Sequence, residues 1–137
     1  MFKAADVNSG MTAFTVQSNT RADLTLKSIN IVGFGVVVST FQQTAFVNVI
    51  EGEWSDNSLA FYAVGQLQQL YVSRTKFLGG SQLWKQANNR YNNVTFDNIF
   101  VSGMIGNSYM IDFEATMVKI LFGSLFCIYF LFNFYSI

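Results

Sequence analysis

A repeat of about 23 residues constrains the fold of this chain more than any other feature. Apolar residues occupy the first, third and eighth positions of each repeat, and Gly or Asp occupies the tenth. Four segments align without gaps: Leu24–Gly33, Val47–Asp56, Leu70–Gly79 and Val94–Gly103. Their first residues are separated by 23, 23 and 24 positions. Apolar residues at alternate positions mark one face of a β-strand. The fixed Gly or Asp predicts a turn that needs a positive φ.

A period of this length, with about three short strands and three turns, predicts one coil of a parallel β-helix. Each strand then pairs with its equivalents in neighbouring coils, about 4.8 Å away, so that like residues stack in ladders. A second apolar pair follows in each unit, and it is weakest in the third: Val36 and Val38, Leu59 and Phe61, Leu83 and Trp84, Tyr109 and Ile111. The alternative is a β-sandwich, or another all-β fold, with evenly spaced strands.

The segments LTLKSINIVG and NNVTFDNIFVSG resemble the pectin-lyase-like superfamily of right-handed parallel β-helices, and the resemblance covers roughly residues 24–116. It implies an all-β, right-handed parallel β-helix (β-solenoid) of about four to five coils. It says little about activity, because the superfamily includes polysaccharide lyases, hydrolases, esterases, phage tailspikes and adhesins.

The chain is expected to divide into three parts. Residues 1–23 form an N-terminal segment or a degenerate coil, because Gly10 lies one period before Gly33. The β-helix coils occupy residues 24–116, and a hydrophobic segment occupies residues 117–137.

The C-terminal segment is apolar enough to enter a membrane. Residues 120–137 read ILFGSLFCIYFLFNFYSI, without a charged residue. A helix of this length would extend about 27 Å, close to the thickness of the hydrocarbon core of a bilayer. This predicts a C-terminal transmembrane helix and a membrane or cell-surface location. One alternative is a fifth coil, because Val118 and Ile120 follow Val94 and Phe96 at the spacing that separates Val94 from Leu70. The other is an irregular chain end.

Composition excludes several kinds of chemistry. The chain has no histidine and a single cysteine, Cys127. It therefore lacks the residues for Ser-His-Asp or Cys-His nucleophilic systems, histidine-bound zinc, an intrachain disulfide or a thiolate metal cluster. Formal net charge is zero, without a basic block, so nucleic acid is not an expected partner. No cofactor and no metal site are expected.

Carboxylates, often with Arg or Lys, perform glycan cleavage in the superfamily that the chain resembles. The candidates of these types are Glu51, Glu53, Asp56, Asp97, Asp112, Glu114, Arg74 and Lys76. Asp112 and Glu114 would share a strand face, but two solvated acids at a strand end are the commoner arrangement. Asp97 and Asn98 are ordinary turn formers. The QDT-type and DxD-type patterns of pectinesterase-like and polygalacturonase-like members are absent, so no catalytic residue is assigned.

Stacking one coil on the next places Glu51 over Arg74 and Glu53 over Lys76, two pairs of opposite charge. Asn93-Val94-Thr95 is a glycosylation sequon. Trp84 and Tyr91 are candidates for stacking on sugar rings, with a half-buried loop position as the alternative.

The sequence therefore predicts a membrane-associated β-helix module with a structural or adhesive surface role. Its expected partners are a carbohydrate or cell-surface ligand and a membrane. The alternatives are a polysaccharide-active lyase, esterase or hydrolase reduced to part of its solenoid, and a non-functional fragment of such an enzyme.

Overall fold

The computed structural model describes residues 1–5, 10–17, 20–41, 45–64, 67–87, 92–103, 111–113, 118–122, 125–128 and 134–136. This part of the chain is an all-β, parallel β-solenoid of about three turns without helices. Every pairing between its strands is parallel.

Fifteen strands make up the described part. In chain order they are β1 (Phe2–Lys3), β2 (Thr12–Gln17), β3 (Ala22–Lys27), β4 (Ile31–Val32), β5 (Val36–Phe41), β6 (Ala45–Ser55), β7 (Leu59–Ala63), β8 (Leu67–Leu78), β9 (Gln82–Gln86), β10 (Asn92–Asp97), β11 (Ile99–Ser102), β12 (Ile111–Phe113), β13 (Val118–Phe122), β14 (Leu125–Ile128) and β15 (Phe134–Ser136).

These strands form two sheets, and the chain alternates between them. The nine-stranded sheet runs β1-β4-β6-β8-β10-β13, with β3 paired to β6, and β11 paired to β8 and β14. The six-stranded sheet runs β15-β12-β9-β7-β5-β2. The long strands β6 and β8 each continue through a bend, where other coils break into two shorter strands.

The interior is built from the predicted ladders. Three ladders are in register, formed by the first, third and eighth repeat positions. They are Leu24, Val47, Leu70 and Val94; Leu26, Val49, Val72 and Phe96; and Ile31, Trp54, Phe77 and Val101. All are buried except Leu24, which is half-buried. Burying each aliphatic side chain contributes roughly 1.5–3 kcal/mol. These registers confirm the parallel stacking that the repeat predicted.

An aromatic cluster joins the two sheets across the interior. The ring of Phe61, on the second sheet, lies 5.2 Å from that of Trp54 and 6.4 Å from that of Phe96. Phe77 meets Trp54 edge to face at 5.5 Å, a geometry that aromatic pairs favour.

The tenth repeat position adopts the left-handed conformation in all four aligned segments. φ is 81° at Gly33, 55° at Asp56, 69° at Gly79 and 66° at Gly103. Gly10, one period earlier, has φ 67°, and β1 and β2 pair with β4 and β5. The described residues of the N-terminal segment therefore extend both sheets by part of a coil.

Two details of the repeat differ from the sequence prediction. The counterpart of Phe61 in the third unit is Trp84 alone, while Gln82 takes the place of Leu59. Leu83 is nevertheless buried. Trp84 pairs in turn with Ile111, and Tyr109 lies outside the described residues.

The C-terminal segment contains strands where a transmembrane helix was predicted. β13 pairs with β10, β14 with β11 and β15 with β12. Ile120 and Phe122 stand opposite Val94 and Phe96, in the places expected for Val118 and Ile120.

In the part of the chain that the structure covers, no helix has the length and apolar character needed to cross a membrane. Phe, Ile and Tyr favour strands, and the edge of β10 offers backbone partners. The solenoid has about three turns, fewer than the four to five coils that the sequence predicted.

Candidate functional site: the bend strip

The fifth repeat position forms a second column of left-handed residues. It comprises Ser28, Glu51, Arg74 and Asn98, with φ of 55°, 55°, 48° and 50°. All four side chains are exposed, and we call this row the bend strip. None is glycine, so the conformation costs about 1–2 kcal/mol at Ser28, Glu51 and Arg74, whereas Asn98 belongs to a residue type that tolerates it.

The cause of the bend is the phase of the repeat. Inward side chains stand at the third and eighth positions, an odd spacing, whereas a regular strand returns to the same face only at even spacings. The left-handed residue between these two positions reverses the alternation of inward and outward side chains, so that the eighth position also points inward. Thr75 and Ile99, which follow Arg74 and Asn98, are accordingly buried.

Side chains of the bend strip join three successive coils. Arg74 Nη2 donates to Glu51 Oε1 at 2.8 Å, and Ser28 Oγ donates to Glu51 Oε2 at 3.2 Å. The Arg74 and Glu51 side chains are 54% and 47% exposed. The hydrogen bond from the Arg74 guanidinium lowers the pKa of the Glu51 carboxyl, and the bond from Ser28 acts in the same direction. Glu51 is therefore held as a carboxylate. The predicted Glu51–Arg74 pair is confirmed.

A second column runs beside the bend strip, two positions further along each coil. It comprises Asn30, Glu53, Lys76 and, in the fourth segment, the apolar Phe100. Glu53 and Lys76 are register partners, as predicted, but the ion pairs of the described residues are Arg74–Glu51 and Arg21–Asp23. Glu53 N–H instead donates to Asn30 Oδ1 at 3.0 Å. Lys76 is exposed, and its backbone stands opposite Phe100 of the following coil.

Two shallow, open grooves flank these columns. The first is lined by Ser28, Asn30, Glu51, Gly52, Glu53, Arg74 and Lys76, and the second by Arg74, Thr75, Lys76, Asn98, Ile99 and Phe100. Both cations line both grooves. A Cβ atom at Gly52 would lie 2.6 Å from the carbonyl oxygen of Ile29, so the floor of the first groove requires a residue without a side chain.

The remaining carboxylates of the sequence analysis are scattered. Asp56 belongs to the turn column. Asp97 is half-buried and directly precedes the bend residue Asn98. The backbone of Asp112 pairs with Lys85, and Glu114 lies outside the described residues.

Of the two candidate sugar-binding aromatics, Trp84 lies in the part of the chain that the structure describes. Trp84 is 1% exposed, because it continues the inward ladder of Val38 and Phe61. The prediction that Trp84 stacks on a sugar ring is therefore wrong. Tyr91 lies outside the described residues. Asn93 of the sequon is half-buried near the start of β10.

Sequence reasoning missed the buried polar residue Asn57. Its Oδ1 accepts from the backbone N–H of Phe34 at 2.9 Å, and its Nδ2 donates to the carbonyl of Ile31 at 3.1 Å. Both partners belong to the preceding coil, so the Asn57 side chain links the turns of two successive coils by hydrogen bonds. Its position after the turn residue Asp56 was the available signal.

Comparison with protein-family models, curated proteins and solved structures gives no match.

Proposed function

We propose that this chain is a right-handed parallel β-helix module of the pectin-lyase-like kind, with a structural or adhesive role at a membrane or cell surface. The proposed hand follows from a general rule: crossover connections between parallel strands of one sheet are right-handed in about 98% of cases. The proposed role rests on the bend strip and its grooves.

The single observation that carries this role is the alignment of exposed polar groups along the solenoid. Each coil adds one bend-strip residue and one residue of the flanking column, about 4.8 Å from those of the next coil. In the first groove Glu51 and Glu53 balance the charges of Arg74 and Lys76, whereas the second groove is lined by Arg74 and Lys76 without a carboxylate. The net positive charge of the second groove suits an anionic group, and the row of polar residues along the coils suits an extended ligand. We therefore propose an acidic polysaccharide of a cell surface as the ligand.

The test is binding to immobilised polysaccharides, acidic and neutral, by surface plasmon resonance. Arg74→Ala should weaken binding to the acidic polymers roughly tenfold, the effect of losing about 1.4 kcal/mol. Arg21→Ala is the matched control, because Arg21 is also exposed and ion-paired, to Asp23, but lies outside the bend strip. Equal loss in both variants, or no binding by the parent chain, would contradict the proposal.

We also propose that the apolar C-terminal segment associates with a membrane. Its support is the absence of charged residues from Ile120 to Ile137. Where such a surface remains in water, its apolar groups favour transfer to lipid.

A further inference from the structure

Three strands, β1, β2 and β3, form edges at the N-terminal end of the solenoid, and they differ in charge; β1, which pairs only with β4 among the described residues, carries Lys3. Among the described residues, β3 pairs only with β6, and β2 only with β5, so each has an edge with unpaired backbone groups. Arg21, Asp23 and Lys27 lie at or next to the β3 edge, whereas residues 7–20, which include β2, carry no charge. Charged side chains are a common protection against edge-to-edge pairing. The β3 edge has this protection, and the β2 edge does not.

The composition of β2 favours pairing with another strand. TAFTVQ combines β-branched and aromatic residues without charge, Pro or Gly, which is the signature of a segment that readily forms intermolecular strands. Met1, Phe2 and Met11, at the same end of the solenoid, are 89%, 43% and 47% exposed. Phe2 also stacks on Phe14 of β2 at 5.3 Å. Pairing along β2 would bring this apolar surface to a partner.

We infer that two copies of this chain associate head to head through antiparallel pairing of their β2 edges. A two-fold axis at Phe14 places each Phe14 opposite its equivalent, and each Thr12 opposite Val16 of the other copy, without any charge conflict. The corresponding contact through β3, centred on Leu24, would oppose Arg21 to Lys27. An isologous contact of this kind closes as a dimer.

The experiment is sedimentation velocity of the full chain in mild detergent, which covers the apolar C-terminal segment. The expected species has twice the 15.4 kDa mass of the chain. Thr15→Lys adds a charge to the exposed outer face of β2 and should weaken dimerisation at least about tenfold. Thr25→Lys is the matched control: it alters an exposed threonine of β3, the protected edge, and should leave the dimer unchanged.

Gln17→Lys, also exposed on β2, repeats the test at a second position should Thr15→Lys reduce the β-sheet circular dichroism signal. A monomeric parent chain, equal weakening by Thr15→Lys and Thr25→Lys, or open-ended growth into filaments would overturn the inference.

Discussion

Single residues in left-handed conformations set the corners of each coil, and the sequence revealed only one of the two columns. Gly and Asp at the tenth position are residues that tolerate positive φ, so that corner was predicted. Glu51 and Arg74 rarely adopt this conformation, and their column was missed. The usable signal was the odd spacing between inward positions, which a regular strand cannot provide.

At Gly80 the lack of space beside the backbone excludes a side chain more strongly than the positive φ does. Gly80 has φ 89°, and a Cβ atom there would lie 2.0 Å from the carbonyl oxygen of Asn57, whereas one at Gly10 would meet nothing within 4 Å. Gly10→Ala should cost about 1–2 kcal/mol from its backbone conformation. Gly80→Ala should cost about 1–3 kcal/mol more from overpacking. Urea unfolding measures both changes, and equal losses would contradict the described corner.

The ion pair on the bend strip should make stability depend on pH. Because the pKa of Glu51 is lowered in the folded chain, its contribution is complete above its ordinary value of 4.5 and is lost as pH falls through the folded pKa. Glu51→Gln should therefore lower the melting temperature at pH 7, with little difference from the parent chain well below the folded pKa. A difference that is the same at both pH values would show that the carboxylate charge is not responsible.

At the level of elements, the strands of the central coils could be predicted because their apolar positions recur at a constant spacing. The C-terminal strands could not, because Phe, Ile and Leu occupy positions of both parities, and this pattern fits a buried helix as well as a strand. The pairing of β13 with β10 also differs by two residues from the predicted register, because Ile120, and not Val118, stands opposite Val94. The pairing available at the edge of β10 decided the outcome, and no property of the segment alone contains that information.

The C-terminal segment provides a prediction about location. Tagged full-length chain should remain with membranes after carbonate extraction, because residues 120–137 present no charge to lipid. A variant that ends at Thr116 should be released, with its circular dichroism spectrum used to verify that the remaining coils stay folded. Release of the full-length chain would contradict membrane association, and β13–β15 would then be assigned solely to the solenoid.

At the scale of the whole molecule, the fold class followed from the repeat, whereas the bend strip emerged only after the coils were stacked. Glu51 and Arg74 come together because they stand one period apart in a parallel register, so their pairing was predictable. The two grooves and the burial of Trp84 depend on three-dimensional packing.

The chain alone is also expected not to cleave uronate polymers. The QDT-type and DxD-type patterns are absent from the sequence, and the lowered pKa of Glu51 does not suit that residue to the role of a general acid, which needs a raised pKa. Incubation with pectin or pectate should release no unsaturated or reducing ends above background. Activity that disappears in Asp112→Ala or Glu114→Ala would favour the reduced-enzyme alternative.

Parallel stacking of successive coils, the central claim, is tested most directly by disulfide cross-linking, with Cys127 replaced by Ser. Thr25 and Asn48 are register partners on adjacent coils, and Tyr71 stands one coil further. A Thr25→Cys, Asn48→Cys variant should form an intrachain disulfide, because paired Cα atoms lie within the range that such bonds allow. Thr25→Cys with Tyr71→Cys spans about 9.6 Å, two coil spacings, and should remain reduced. A bridge in the second variant, or none in the first, would contradict the solenoid.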